Sequence, residues 1–270
     1  MKILFSKIIF LVLLLSGCNS NLYSEIASSD PDDVFLINAK AAINALDYVT
    51  AIQILTVQVS AGAQAKSTFK ETLASAYAGK CGLNFAGFVN GLANATTGSA
   101  FKLIMTPFVG IPVDPPSCLL ALNKMQSIAT TAGRTANQNA FVAVVGMSLM
   151  GSQIRTSADQ SPVNGDGTVD KVLCSISDAD INNIVLGFGF MSQNFSFLST
   201  QLVGNSSHTA LNAIITQCTA VAGANCSIID PTAITVGIRD TMRDFINTQE
   251  YGIGTYVTGG NAALIPGSCP

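Results

Sequence analysis

Apolar and polar positions alternate along this chain with a helical period. From Val34 the apolar residues recur as Val34, Ile37, Ala41 and Ala45. From Tyr48 to about Val59 they recur as Ala51, Ile52, Leu55 and Val59, and from about Lys66 to Lys80 as Phe69, Leu73, Ala76 and Tyr77. These spacings follow the 3.6-residue turn of an amphipathic helix. Ser29-Asp30-Pro31-Asp32-Asp33 marks the first start, with a capping side chain, an early proline and acids in the first turn. Further helices are predicted over 98–109, 117–131, 135–154, 178–202, 207–221 and 231–248. Ser206-Ser207 and Asp230-Pro231 are start signals for the last two. Loops are predicted at 110–117, which carries Pro112, Pro115 and Pro116, and at 157–170. The tail from Tyr251 is Gly-rich and irregular. Strand patterns are sparse, so the pattern predicts an all-α fold with disulfide-stapled loops.

Two segments are apolar enough to raise a membrane question. Ala140–Met150 is uncharged but about half the ~20 residues of a spanning helix. Ile181–Val203 is long enough but carries Asn182, Asn183, Gln193, Asn194 and Gln201. Both read as buried helices of a globular domain.

The first apolar run has a different character. Lys2 and Lys7 precede an uncharged stretch from Ile8 to Leu15, and Ser16-Gly17-Cys18 follows at once. This is the layout of a cleavable export signal over residues 1–17. Leu15-Ser16-Gly17-Cys18 resembles the lipobox of bacterial lipoproteins. That resemblance implies cleavage before Cys18, lipidation of its sulfur, and a lipid anchor in the cell envelope. Asn19 stands where that family favours aspartate for inner-membrane retention, so the outer membrane is implied. Residues 18–29 then read as a polar tether, 30–110 as one helical region, and 111–270 as further helices of the same or a second α domain.

Removing Cys18 from seven cysteines leaves Cys81, Cys118, Cys174, Cys218, Cys226 and Cys269. An even set in an exported chain predicts up to three disulfides, with connectivity open among 15 pairings. No CxxC pair and a single histidine speak against a zinc site. Removing the signal's two lysines from 13 basic and 16 acidic side chains leaves five net negative charges. That balance excludes a basic nucleic-acid face. Charged residues make up 11% of the chain, against about 25% in ordinary domains, so mutual repulsion is weak and partner association is plausible.

Leu46-Asp47-Tyr48-Val49-Thr50-Ala51-Ile52 resembles the turn and second-helix start of a tetratricopeptide repeat, and Leu73-Ala74-Ser75-Ala76-Tyr77 the first-helix motif of the following one. Gly82-Leu83-Asn84-Phe85 would be the next turn. Asp47 to Gly82 is 35 positions, close to the ~34-residue period of such arrays. The resemblance covers about residues 34–95. Leu46 departs from it, since the family favours glycine there. It implies a hairpin stack, a right-handed superhelix, whose groove around Tyr48 and Tyr77 binds a protein or peptide.

Candidate chemistry is sparse. Asn164-Gly165-Asp166-Gly167-Thr168-Val169-Asp170 resembles the centre of an EF-hand calcium loop. Asn164, Asp166, Thr168 and Asp170 would ligate, while Pro162 and Leu173 stand where first and last ligands belong. A plain turn with positive φ is the competing reading. His208 has Ser206 and Ser207 before it but no nucleophile elbow; Gly146-Met147-Ser148-Leu149-Met150 lacks the second glycine. Arg239, Asp240, Arg243 and Asp244 share one helix and read as a salt-bridged surface. Gly187, Gly189 and Gly204 read as packing sites. The expected function is a non-catalytic binding or scaffold subunit at the envelope. The alternative is a solute- or lipid-binding component whose pocket lies between 140–150 and 181–203.

Overall fold

The computed structural model describes residues 30–96, 98–221 and 225–269. The predicted export signal, Cys18 and the predicted tether lie outside the described residues. Among those described there is no strand, only an isolated bridge between Thr248 and Tyr256. The fold is all-α.

The N-terminal part is built from α1 (Pro31–Asn44), α2 (Tyr48–Gln53), the short α3 (Ala61–Gln64) and α4 (Ser67–Lys80). Asp30 caps α1 by accepting from the Asp32 N–H, with Pro31 in the first turn. The Asp32 carboxylate then accepts from the N–H and hydroxyl of Ser60, tying α1 to the turn before α3. A single π turn, Ile54–Gln58, extends α2. Ala39, Ile54, Leu55, Val59, Ala63, Phe69 and Leu73 form a small core.

The inward face of α1 differs from the predicted one. Val34 and Ile37 are 39% and 51% exposed, while Ala39 is buried and Phe35 and Leu36 pack on the small core. Apolar residues surround most of α1, and the stripe with the larger side chains is the one that is covered. The faces expected on α2 and α4 are the buried ones.

The larger core runs from Ala74 to Ile265 and so spans residue 110. It gathers α5 (Phe85–Ala93), α6 (Ala100–Met105), α7 (Pro115–Gln126), α8 (Ala136–Ala158), α9 (Asp178–Asn194), the short α10 (Thr200–Val203), α11 (Asn205–Ala220) and α12 (Val236–Asn247). At the centre, α8 lies along α9. Thr135 and Gln138 form a reciprocal capping box at the start of α8. Ser148 and Ser152, buried inside it, donate back to Val144 and Leu149 carbonyls. Thus both hydroxyls buried in the middle of this helix find acceptors on its own backbone.

Glycines set how close these helices come. A Cβ at Gly146 would lie 2.8 Å from the Gly187 carbonyl oxygen, and one at Gly187 would lie 2.7 Å from that of Gly146. Gly151 meets the Ile104 carbonyl of α6, Gly189 the Ile228 carbonyl, and Gly204 the Ala93 carbonyl, each too closely for a methyl group. The pair α8–α9 is therefore shut at its crossing, where the sequence allowed a pocket.

The six cysteines among the described residues all pair. Cys81–Cys118 joins the end of α4 to the first turn of α7, Cys174–Cys269 anchors the tail, and Cys218–Cys226 closes the end of α11. Helix α4 packs chiefly along α7, and also on α1 and α2, while α5 packs on α10 and α11.

Candidate functional site

A groove follows one face of α4. Thr68, Glu71, Thr72, Ser75, Ala78 and Gly79 recur at three- and four-residue steps, so they form one strip about 17 Å long. Four cavities lie along this strip, of about 470, 470, 290 and 430 Å³. Neighbouring cavities share lining residues: Leu46, Tyr48, Gly79 and Leu83 at one end, Ile43 and Ser75 in the middle, Glu71 and Ser75 beyond. Apart from Glu71, the floor is made of small side chains. One wall is the C-terminal end of α1 with the Leu46–Val49 turn. The other holds Phe85 and Phe141, stacked at 6.1 Å and 20°.

Tyr48 divides the groove. Its ring lies directly on Gly79, where any Cβ would collide with it. Asp47 caps α2 by accepting from Thr50, whose bonds hold its carboxyl below the usual range. That cap places Tyr48 at the first position of α2. Leu46, just before, has φ +62 and is 70% exposed. A leucine there costs roughly 1–2 kcal/mol that glycine would not. Its side chain lines two of the cavities. Val49, 66% exposed, continues this apolar rim. Tyr77, expected beside Tyr48, is half-buried and packs against both cores.

Polar bridges span the groove at both ends, and Lys40 stands at the wall of the cavity between. Lys80 Nζ pairs with Asp114 at 2.8 Å. Burial raises the Asp114 carboxyl, but Lys80 and Ser117 outweigh it and hold the group below the usual range. At the other end Gln138 Nε2 donates to Glu71 at 2.5 Å.

The 159–170 loop is organised by a residue outside the predicted ligand set. Asp159, fully buried, accepts from the N–H groups of Asp166 and Gly167. Gly165 packs against the Asp159 carboxylate. Asp166 accepts from Thr168 N–H, and Asp170 from Gln160 and Ser161 N–H. Asn164 takes φ +74 and its carbonyl accepts from Gly110 N–H. Among the described residues no three acidic, histidine or cysteine side chains converge as a metal cage.

The His208 ring packs on Phe195 at 4.6 Å and a tilt of 34°, and neighbouring Ser207 donates to the Leu92 carbonyl. Arg239 and Arg243 both reach Asp178 at the start of α9, and Arg243 also pairs with Asp240 at 2.9 Å. Asp244 turns inward instead, accepting from Cys269 N–H and the Ser268 hydroxyl. Burial pushes its carboxyl above the usual range against those two bonds, and Asp240 adds to the rise.

The sequence pointed to a groove around Tyr48 and Tyr77 but not to its floor along α4, where Thr68, Thr72, Ser75 and Ala78 stand at helical spacing. Sequence reasoning also missed Arg134, a buried guanidinium whose only sequence signal was a charge near a helix start.

Comparison with known proteins finds no matching family model, curated protein or solved structure.

Proposed function

We propose that this protein is a non-catalytic, lipid-anchored envelope component whose α4 groove binds a helix or extended segment of a protein partner. The carrying observation is the row of four cavities along one face of α4, each sharing lining residues with the next. The small side chain of Ser75 at the centre of the floor leaves room for a partner segment, and Leu46, Val49 and Phe85 offer apolar rims for its side chains. Leu46 adds weight, because an exposed apolar side chain in a strained conformation points to use rather than stability. The groove's ionisable ends, Lys80 with Asp114 and Glu71 with Gln138, are already engaged, which suits binding better than proton transfer.

The anchor at Cys18 and the acidic, weakly charged surface support a scaffold on the envelope, with the outer membrane as its site. The test is partner recovery from detergent-solubilised envelopes with wild type and Ser75→Trp, which fills the shared centre of the groove. Val172→Trp, at a position 70% exposed and outside the groove, is the control. Equal recovery by all three would reject the groove.

A further inference from the structure

A separate cavity of about 350 Å³ lies between the ends of α7 and α9. It is lined on one side by Gln126, Thr130, Thr131 and Arg134, and on another by Phe190 and Ile229. Arg134 is 8% exposed, and among the described residues no carboxylate pairs with it. Its Nε donates to Asn139, Nη1 to the Ala129 carbonyl, and Nη2 to Thr131 and Asn194. Every acceptor is neutral. The C-terminal ends of α7 and α9 supply only partial negative charge. A guanidinium has five N–H groups, so one on Nη1 has no acceptor among the described residues.

Burying a full charge against neutral partners is costly. Retaining arginine makes sense where an anion completes the set. No acidic side chain lines the cavity to repel one. We infer that this cavity binds a small monocarboxylate, its carboxylate on Arg134 Nη1 and the Thr130 hydroxyl and its apolar body against Phe190 and Ile229. One free N–H and one positive charge suit a single carboxylate rather than a dianionic phosphate. This site is independent of the α4 groove, and either proposal can fail alone.

The test uses hexanoate, with hexan-1-ol as the uncharged body and inorganic phosphate as the bare anion. Hexanoate should raise Tm and move the Arg134 side-chain 15N–1H signal with half-saturation in the millimolar range. Hexan-1-ol and phosphate should do neither. Folded Arg134→Gln protein should lose the hexanoate response. The Arg134 signal needs no variant, so the test survives if that substitution prevents folding. An unmoved signal, an equal response to hexan-1-ol or phosphate, or an unchanged hexanoate response in Arg134→Gln would overturn the site.

Discussion

Gly146 and Gly187 let α8 and α9 touch backbone to backbone, and adding one methyl group there measures how much the fold depends on that approach. In Gly146→Ala the new Cβ would sit 2.8 Å from the Gly187 carbonyl, 2.9 Å from the Met191 nitrogen and 3.1 Å from the Phe190 Cβ. Two of these atoms are backbone and cannot rotate away, so the helices must part by about half an ångström. Overpacking of this kind costs about 1–3 kcal/mol. Alanine recovers about 0.8–1 kcal/mol of helix propensity in any helix interior. Gly91→Ala in α5 isolates that gain, because nothing lies within 4 Å of its Cβ. Gly146→Ala should therefore be less stable than Gly91→Ala by about 2 kcal/mol, or about 4–8 °C in Tm for a domain of this size. Gly187→Ala strains the same crossing, so the double variant should cost less than the sum of the singles. Urea titrations followed by circular dichroism, with disulfides intact, give all four free energies. If Gly146→Ala is stabilised as much as Gly91→Ala, the close crossing does not hold the core.

Leu46→Gly should keep or raise stability by up to about 1 kcal/mol while weakening partner binding, since it relieves positive φ and removes an apolar rim; a clear loss of Tm would contradict this. Two contacts of α12 titrate with opposite signs. Arg243, with Arg239, holds Asp178 below the ordinary 3.8, so its contribution is full above that value and is lost as pH falls through the depressed pKa. Asp244 is raised above 3.8, so its stabilisation is full below 3.8 and is lost as pH rises through the raised pKa. In pH-dependent melts Asp178→Asn should remove the first slope and Asp244→Asn the second; unchanged slopes would refute the pairing. Replacing Cys81 and Cys118 together by serine should cost about 4 kcal/mol, the chain-entropy value for a separation of 37 residues; a loss under 1 kcal/mol would mean that α4 and α7 are held by packing alone. Because Asp159 closes the 159–170 loop through backbone N–H groups, melts in calcium and in chelator should coincide; a rise with calcium would assign the ion to Asn164, Asp166, Thr168 and Asp170.

The helical period was legible on α2 and α4, where the larger apolar side chains fall on one stripe. It misled on α1, where small and large apolar residues occupy several faces and volume decides which is buried. The disulfides were countable but not connectable, because pairing depends on α4 lying along α7, a contact absent from local pattern. Tyr48 could be placed beside a groove from its turn. Tyr77 could not be kept there, since whether a helical tyrosine faces a groove or joins two cores depends on what packs beyond it. Asp159 was hidden for the same reason: its role depends on N–H groups seven and eight residues away.

The most direct measurement is site-specific photocrosslinking in intact envelopes, with benzoylphenylalanine at Phe85 in the groove wall or at Val163, which is 86% exposed on the loop. A partner seated in the groove should give a discrete polypeptide adduct from position 85 that disappears when Ser75→Trp is added, and none from position 163. No adduct at 85, an adduct unaffected by Ser75→Trp, or equal adducts from both positions would contradict binding in the groove.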